Sequence, residues 1–341
     1  MIQIDENINL KPFNTFRIEA FARYFIKISD EHELQELIQS DLYRHKKHLI
    51  LGGGSNMLFT KDFDGLVIKI AIKGIETVHE TDESITLRVG GGVLWHDFVM
   101  HCVRNNWGGV ENMSLIPGVI GASPIQNIGA YGVEVKDVIQ KVEVIDLFTG
   151  ASRSFTNEEC HFGYRESVFK HELKEKYFIS SVTLTLSKEN HRLNIGYGAI
   201  QDTLKMMNIT HPTIQAVSDA VIHIRKSKLP DPDVIGNAGS FFKNPTITLE
   251  HYHSLQKLYS EAPGYHSANQ EVKIPAGWLI EQCGWKGKTF HNIGVHAHQA
   301  LVLVNYGGGS GDEIYTLAKN IQASVKEKFD ISLSTEVNII S

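Results

Sequence analysis

The sequence has little cysteine and no long apolar run. Its three cysteines, Cys102, Cys160 and Cys283, lie far apart and form no CxxC pair, so neither a zinc site nor a disulfide framework is indicated. No apolar run approaches the roughly 20 residues that span a bilayer. The N-terminus, MIQIDENINLKPF, lacks the basic start and apolar core of a signal peptide. We therefore expect a cytoplasmic protein.

The sequence also has fewer basic than acidic residues, 33 against 39. The formal net charge is −6, which argues against a general nucleic-acid-binding protein. Of the 341 residues, 42% are hydrophobic and 21% are charged, as in ordinary globular proteins. A chain of this length accommodates two or three domains.

Apolar spacing predicts an α+β protein with many short strands. A helix begins near Asp30, and Leu94, Phe98 and Cys102 recur at every fourth residue, as in a second helix. His48–Leu51 is a short apolar strand.

Near the C-terminus, a helix is predicted from Ser310 to Phe329, with Asp312 as its cap and with a buried stripe of Ile314, Leu317, Ile321 and Val325. The chain then ends as a strand with Ile331, Leu333, Val337 and Ile339 on one face and Glu336 on the other, polar face.

A loop over residues 116–132 is the most unusual segment. It holds four glycines and two prolines and no charged residue, a mixture that neither a helix nor a strand tolerates. We expect its backbone N–H groups to be available to a ligand, with Ser123, Gln126 and Asn127 adding directional hydrogen bonds. A large cofactor with many acceptor atoms suits such a loop.

A second glycine loop, LGGGSN at 51–56, follows a predicted strand. It is neither a P-loop, since no Lys-Ser/Thr pair follows, nor a Rossmann fingerprint, since Met57 replaces the third glycine. A tight turn explains it if taken alone. Together, two separated glycine loops favour a dinucleotide ligand.

Three polar residues are candidates for chemistry. Ser240 lies in the segment GNAGSFFKNP, Arg165 offers a fork that suits a carboxylate, and Glu336 lies near the C-terminus. The ordinary alternatives are a backbone cap for the serine and surface ion pairs for the others. Spacing alone does not bring the three together.

Two further clusters have weaker functional interpretations. Arg225, Lys226 and Lys228 could meet an anionic substrate, although cations are common at the end of a helix. His296 and His298 are spaced like metal ligands, but no carboxylate pair or cysteine is near, so we predict no metal site.

Taken together, the motifs resemble the UDP-N-acetylenolpyruvoylglucosamine reductases (MurB) of the first type, flavoenzymes of peptidoglycan synthesis. The matching segments occur in the family's order over nearly the whole chain: NTFRIEA at 14–20, LGGGSNMLF at 51–59, IPGVIGASPIQNIGAYGVEV at 116–135, YRESVFK at 164–170, KLPDP at 228–232, GNAGSFFKNP at 236–245, IPAGWLIEQCGWKG at 274–287 and STEVNII at 334–340. Each segment alone is weak evidence for the family, but the complete set in this order is specific.

The resemblance implies an FAD-binding domain of the vanillyl-alcohol-oxidase (PCMH) type and a separate α+β substrate-binding domain. We expect the FAD-binding region at 1–190, with two subdomains that divide near residue 70. The substrate-binding domain is expected at 215–329. Residues 330–341 would return as a strand to the FAD-binding part and carry Glu336.

The resemblance also assigns site residues. Ser240 matches the proton donor, and Arg165 and Glu336 match the other two catalytic residues. Tyr197, Lys228 and Asn244 match substrate-binding positions. The FAD-binding residues are expected in the two loops: Gly52, Gly53, Gly54, Ser55, Asn56, Pro117, Gly118, Gly121, Ala122, Ser123, Gln126, Asn127, Gly129 and Ala130.

The implied reaction is the NADPH-dependent reduction of UDP-N-acetylglucosamine enolpyruvate to UDP-N-acetylmuramate through FAD. No histidine stands in the first glycine loop, so noncovalent FAD is expected. A monomer with no nucleic-acid or membrane partner is expected as well. The alternatives are another flavoenzyme on the same fold and a nonenzymatic flavin- or nucleotide-sugar-binding protein.

Overall fold

The structure is a computed structural model that describes residues 2–266 and 269–341. Its strands are β1 Asp5–Asn9, β2 Phe21–Ile28, β3 His48–Leu51, β4 Met57–Phe59, β5 Phe63–Ile70, β6 Ile75–Glu80, β7 Ser84–Gly90, β8 Gly129–Ala130, β9 Val133–Glu134, β10 Ile139–Asp146, β11 Ser152–Thr156, β12 Tyr177–Ser187, β13 Gly236–Ser240, β14 Thr246–Thr248, β15 Tyr265–His266, β16 Glu271–Lys273, β17 Thr289–Phe290, β18 Ile293–Val295, β19 Val302–Asn305 and β20 Asn338–Ile340.

The α-helices are α1 Glu31–Gln39, α2 Asp41–His45, α3 Trp95–Arg104, α4 Gly198–Met206, α5 Ile214–Lys228, α6 Leu249–Leu258, α7 Ala276–Gln282 and α8 Gly311–Phe329. Short 3₁₀ turns include Ile120–Ala122, inside the long glycine loop. Within the described residues, no helix is both long and apolar enough to cross a membrane.

Two helices show how local sequence sets the elements. Asp30 caps α1 by accepting a hydrogen bond from the N–H of Glu33, which confirms the predicted start. The α8 helix begins as predicted, but Asp312 as its cap is wrong. Ser310 is the cap, and its reciprocal bonds with Glu313 form a capping box.

Contacts divide the chain into two compact units. The first comprises the chain up to Ile8, Ala22–Gly53 and Asp64–Ser227. The second comprises Asn9–Phe21, Gly54–Phe63 and Lys228–Ser341. This division differs from the predicted domains, because two short N-terminal segments group with the C-terminal part.

The first unit contains two larger sheets. One has the order β1-β2-β5-β3, with β3 and β5 parallel. The other is antiparallel in the order β11-β10-β12-β7-β6. Helix α3 packs Phe98 and Cys102 into the core of the second sheet, as predicted. Leu94 was assigned to the same face, but it precedes the helix and is 48% exposed.

The second unit is built on the antiparallel sheet β13-β19-β18-β17, against which α8 packs. A smaller antiparallel sheet has the order β14-β16-β15, and β20 pairs with β4 in parallel. The buried stripe of α8 is the predicted one, Ile314, Leu317, Ile321 and Val325. The unit's core also contains Phe16, whose ring meets Phe241 edge-on.

The predicted C-terminal strand is shorter in the structure. Ile331, Leu333 and Val337 are buried as expected, but only Asn338–Ile340 form a strand. The backbone bends at Glu336, where the chain changes from one hydrogen-bonding partner segment to another. The N–H of Glu336 donates to the Phe241 carbonyl, whereas that of Asn338 donates to the Asn56 carbonyl.

Candidate active site

In the first unit, the glycine loops at 52–53 and 118 touch through their backbones. A Cβ on Gly53 would lie 2.6 Å from the Cα of Gly118, closer than atoms can approach. A third turn contacts the long loop, since the N–H of Gly121 donates to the Gly91 carbonyl at 2.8 Å and a Cβ on Gly121 would lie 3.1 Å from that oxygen. Glycine is therefore required here by close backbone packing.

The long glycine loop is more tightly bonded internally than we predicted. The N–H groups of residues 120–123 donate to protein carbonyls, so they are not available to a ligand. The Ser123 hydroxyl donates to the Ile120 carbonyl at 2.7 Å. The fully buried Asn127 side chain donates to Glu134 and the Gly163 carbonyl and accepts from Lys136.

The N–H groups of Gly53 and Gly118 behave differently. Both residues are half-buried, and within the described part of the chain no protein acceptor lies within hydrogen-bond distance of either N–H. Buried backbone donors are normally paired, so donors left over at a glycine cradle indicate a ligand with acceptor atoms. This cradle suits the diphosphate of a dinucleotide.

Arg165 is fixed by the same long loop. Its backbone is left-handed, with φ of 58°. The guanidinium donates to the Asn127 carbonyl at 3.3 Å and to the Gly129 carbonyl at 2.6 Å. Two carbonyls thus orient the side chain without neutralising its charge.

A cluster of aromatic and basic groups lies beside Arg165. The rings of Tyr131 and Tyr197 meet edge-on, with centroids 5.3 Å apart. Tyr131 interacts electrostatically with Arg225, and Asn112 donates to the carbonyls of Tyr131 and Asn194. Tyr197, predicted to bind substrate, is 53% exposed.

The electrostatics of this cluster favour an anion. Burial lowers the pKa of Arg225, the electrostatic interaction with Tyr131 opposes that effect, and the positive charge of Arg165 adds to it. The buried Nε of Arg225 has no hydrogen-bond partner. Among the described residues, no carboxylate lies within ion-pair distance of Arg165 or Arg225. Two half-buried guanidinium groups without a counter-ion are costly, so we interpret the cluster as an anion subsite.

The second unit brings together Ser240 and Glu336, which are far apart in sequence. Ser240 ends β13, where it pairs with Val302. The next residue, Phe241, accepts a hydrogen bond from the N–H of Glu336 at 2.8 Å, and Phe242 pairs with Thr335. Backbone pairing thus places Ser240 and Glu336 one residue apart in register. Sequence spacing could not show this.

The end of the first glycine loop approaches Glu336 from another direction. The Asn56 amide donates to the Glu336 carbonyl at 3.3 Å. Gly54 has φ of 66°, and a Cβ there would lie 2.0 Å from the Phe13 carbonyl oxygen. The carbonyl of Gly54 accepts from the N–H of Thr15, so the segment NTFRIEA supports this loop.

The two other predicted substrate-binding residues have different surroundings. Lys228 is exposed and is the last residue of α5. The side-chain oxygen of Asn244 accepts from the N–H of Ala276 at 2.9 Å, so it also supports the start of α7. Among the predicted catalytic residues, Ser240 and Glu336 lie in the second unit and Arg165 in the first.

Two residues of interest were not singled out from the sequence. Tyr131 carries no signal beyond its place in the long glycine loop. The signal for Lys69 is a lysine that interrupts the apolar end, GLVIKI, of strand β5.

Comparisons with known proteins decide the family. A model of the FAD-binding domain matches residues 22–153, and a model of the UDP-N-acetylenolpyruvoylglucosamine reductase C-terminal domain matches 231–340. The UDP-N-acetylenolpyruvoylglucosamine reductase of Flavobacterium johnsoniae is 49% identical over 339 residues, 99% of this chain and 100% of the relative. The chain belongs to this reductase family.

Other matches agree with this assignment. The reductase of Chromobacterium violaceum is 45% identical over 340 residues, 99% of each chain. The crystal structure of the Thermus caldophilus reductase covers both chains fully, with a TM-score of 0.70 at 21% identity, which supports the fold. The chain is thus an FAD-dependent oxidoreductase with a PCMH-type FAD-binding domain and the reductase family's C-terminal domain.

The residues present fit FAD. The free N–H groups of Gly53 and Gly118 lie where two glycine turns touch, as a diphosphate site requires. Ser55, Asn56 and the rest of the predicted set remain candidates for further contacts.

Proposed function

We propose that this chain reduces UDP-N-acetylglucosamine enolpyruvate to UDP-N-acetylmuramate with NADPH, in peptidoglycan precursor synthesis. Family membership supports the reaction, and the observation that carries it to residues is the pairing of Phe241 with Glu336, next to Ser240. We further propose that the protein works in the cytoplasm as a monomer, without a nucleic-acid or membrane partner.

The glycine loops hold the cofactor in this proposal. Gly52, Gly53, Gly54, Ser55 and Asn56 contribute from the first loop. The second contributes Pro117, Gly118, Gly121, Ala122, Ser123, Gln126, Asn127, Gly129 and Ala130, though not through the N–H groups of residues 120–123, which donate to protein carbonyls. When bound, FAD supplies hydride-transfer chemistry, with NADPH as the source of the hydride.

Three residues act on the enolpyruvyl group. Addition of hydride to its methylene carbon leaves negative charge on the carbon that bears the carboxylate. Arg165 and Glu336 stabilise this enolate, Glu336 in a protonated or proton-sharing form, and Ser240 donates the proton that completes the lactyl ether. The net change is the addition of one hydride and one proton across the double bond.

Substrate binding uses the remaining predicted residues. Tyr197 is exposed enough to contact the nucleotide, and Lys228 and Asn244 contact the sugar nucleotide from the second unit. Arg225 adds positive charge beside Arg165, which suits a substrate with a carboxylate and a diphosphate.

Isotope labelling tests the reaction. In D₂O with unlabelled NADPH, the product should be UDP-N-acetylmuramate with one solvent deuterium on the carbon next to the carboxylate. Oxygen-dependent turnover of an alcohol without reduction of the enolpyruvyl sugar would instead identify another flavoenzyme. A protein that binds FAD or the sugar nucleotide but converts neither would be a binding protein.

A further inference from the structure

Lys69 lies directly behind the first glycine turn. It is on β5, where it pairs in parallel with Leu51, the residue that precedes Gly52. Its neighbours Ile68 and Ile70 point into the core, so Lys69 faces the opposite side of the strand. The Lys69 amine donates to the Gly52 carbonyl at 2.6 Å and to the Ile70 carbonyl at 3.4 Å.

This bond fixes one peptide group. In a trans peptide, the C=O of Gly52 and the N–H of Gly53 point in opposite directions. Holding the carbonyl toward Lys69 therefore turns the Gly53 N–H away from it. That N–H is one of the two cradle donors without a protein acceptor within the described residues. Two consecutive glycines would otherwise leave the peptide free to rotate.

The charge on Lys69 is poorly balanced in the protein alone. Burial lowers its pKa to about 8, and the charges of Lys73 and Lys27 lower it further in the same direction. Lys27 lies on the adjacent strand β2, and Lys73 follows β5 and donates to the Gly92 carbonyl. Lys69 forms no ion pair with a described carboxylate. An anion nearby would compensate for this repulsion.

We propose that Lys69 is a positioning residue for the cofactor, holding the Gly52–Gly53 peptide so that the Gly53 N–H is presented to the diphosphate of FAD. The inference rests on the proposed function only in taking FAD as the ligand. It assigns Lys69 no part in the reduction itself.

A pH dependence of FAD affinity follows. A bound diphosphate favours the protonated amine, so affinity is full below a pH of about 8. It falls as the pH rises through that value, because the deprotonated amine is a weaker donor and carries no charge.

The test is titration of FAD into the flavin-free protein, followed by flavin fluorescence between about pH 7 and about pH 9. Lys69→Met should raise the Kd at least about tenfold at the lower pH and remove the pH dependence. Lys69→Arg should restore affinity to within about threefold of the wild type, because it keeps the charge and a donor. Lys73→Met is the matched control, with one nearby charge removed and the Gly52 carbonyl still held.

Several outcomes would overturn the proposal. Equal affinity of Lys69→Met and the wild type is one, and a weaker variant that keeps the wild-type pH profile is another. Equal weakening by Lys73→Met would show that only local charge matters. If Lys69→Met does not fold by circular dichroism, Lys69→Gln takes its place, with the same expected loss of pH dependence. A wild-type protein that does not bind FAD would contradict the proposed function instead.

Discussion

At the scale of single residues, the site depends on groups whose partners in the protein are incomplete. Arg225 is half-buried near Arg165 and its buried Nε has no hydrogen-bond partner, and the Gly53 N–H has no acceptor within the described residues. Such groups reduce the stability of the ligand-free protein and are satisfied by an anion. Arg165 itself is oriented by two loop carbonyls, which leaves its charge for the substrate.

Replacing Arg225 tests whether this residue lowers the stability of the ligand-free protein and improves substrate binding. Arg225→Met keeps much of the side-chain volume and removes the buried charge, so the ligand-free protein should become more stable by about 1 kcal/mol. The KM for the enolpyruvyl sugar should rise about tenfold or more. Lys226→Met, at the exposed neighbouring position, is the control for both measurements. A destabilised Arg225→Met with unchanged KM would show that the residue serves only packing.

At the scale of elements, the sequence predicted where helices begin and which of their faces are buried, but not which distant segments pair. Asp30 and the stripe of α8 are local patterns, so they could be read directly. The pairing of Phe241 with Glu336 and of Leu51 with Lys69 joins segments far apart in the chain. Periodicity carries no information on such registers, and that is why the bend at Glu336 and the role of Lys69 were not predicted.

The cap of α8 gives a direct comparison between sequence and structure. Ser310→Ala removes the hydroxyl that accepts from the N–H of Glu313, one half of the capping box, and should lower the free energy of unfolding by about 1 kcal/mol. Asp312→Ala removes only a charge in the first turn and should cost about 0.3–1 kcal/mol at most at low salt. Urea unfolding of both variants measures the difference. A larger loss for Asp312→Ala would support the cap predicted from the sequence.

The contact between the glycine turns gives a second prediction at this scale. A Cβ at Gly53 would meet the Gly118 backbone, so Gly53→Ala should separate the turns and weaken FAD binding about tenfold or more. Gly196→Ala is the control, because its backbone is not left-handed and a Cβ there meets no atom within 4 Å. Fluorescence titration with FAD measures both. Equal affinities would mean that the close approach of the turns does not shape the cofactor site.

At the scale of the whole molecule, the two units do not follow the order of the chain. Segments Asn9–Phe21 and Gly54–Phe63 belong with the C-terminal part, so the first glycine loop contributes Gly53 to one unit and Gly54 to the other. Ser240 lies in the second unit, whereas Gly53 and the long glycine loop at 116–132 lie in the first. This separation predicts that the two half-reactions can be affected independently.

The measurement that tests this most directly is an anaerobic absorption experiment on the wild type and Ser240→Ala. NADPH should bleach the flavin band in both proteins at similar rates. Adding UDP-N-acetylglucosamine enolpyruvate should restore the band quickly in the wild type and roughly 10²–10⁴ times more slowly in the variant. Equal slowing of both steps in Ser240→Ala would contradict the assignment of Ser240 as proton donor. A wild-type band that NADPH bleaches but only oxygen restores would contradict the proposed reaction as a whole.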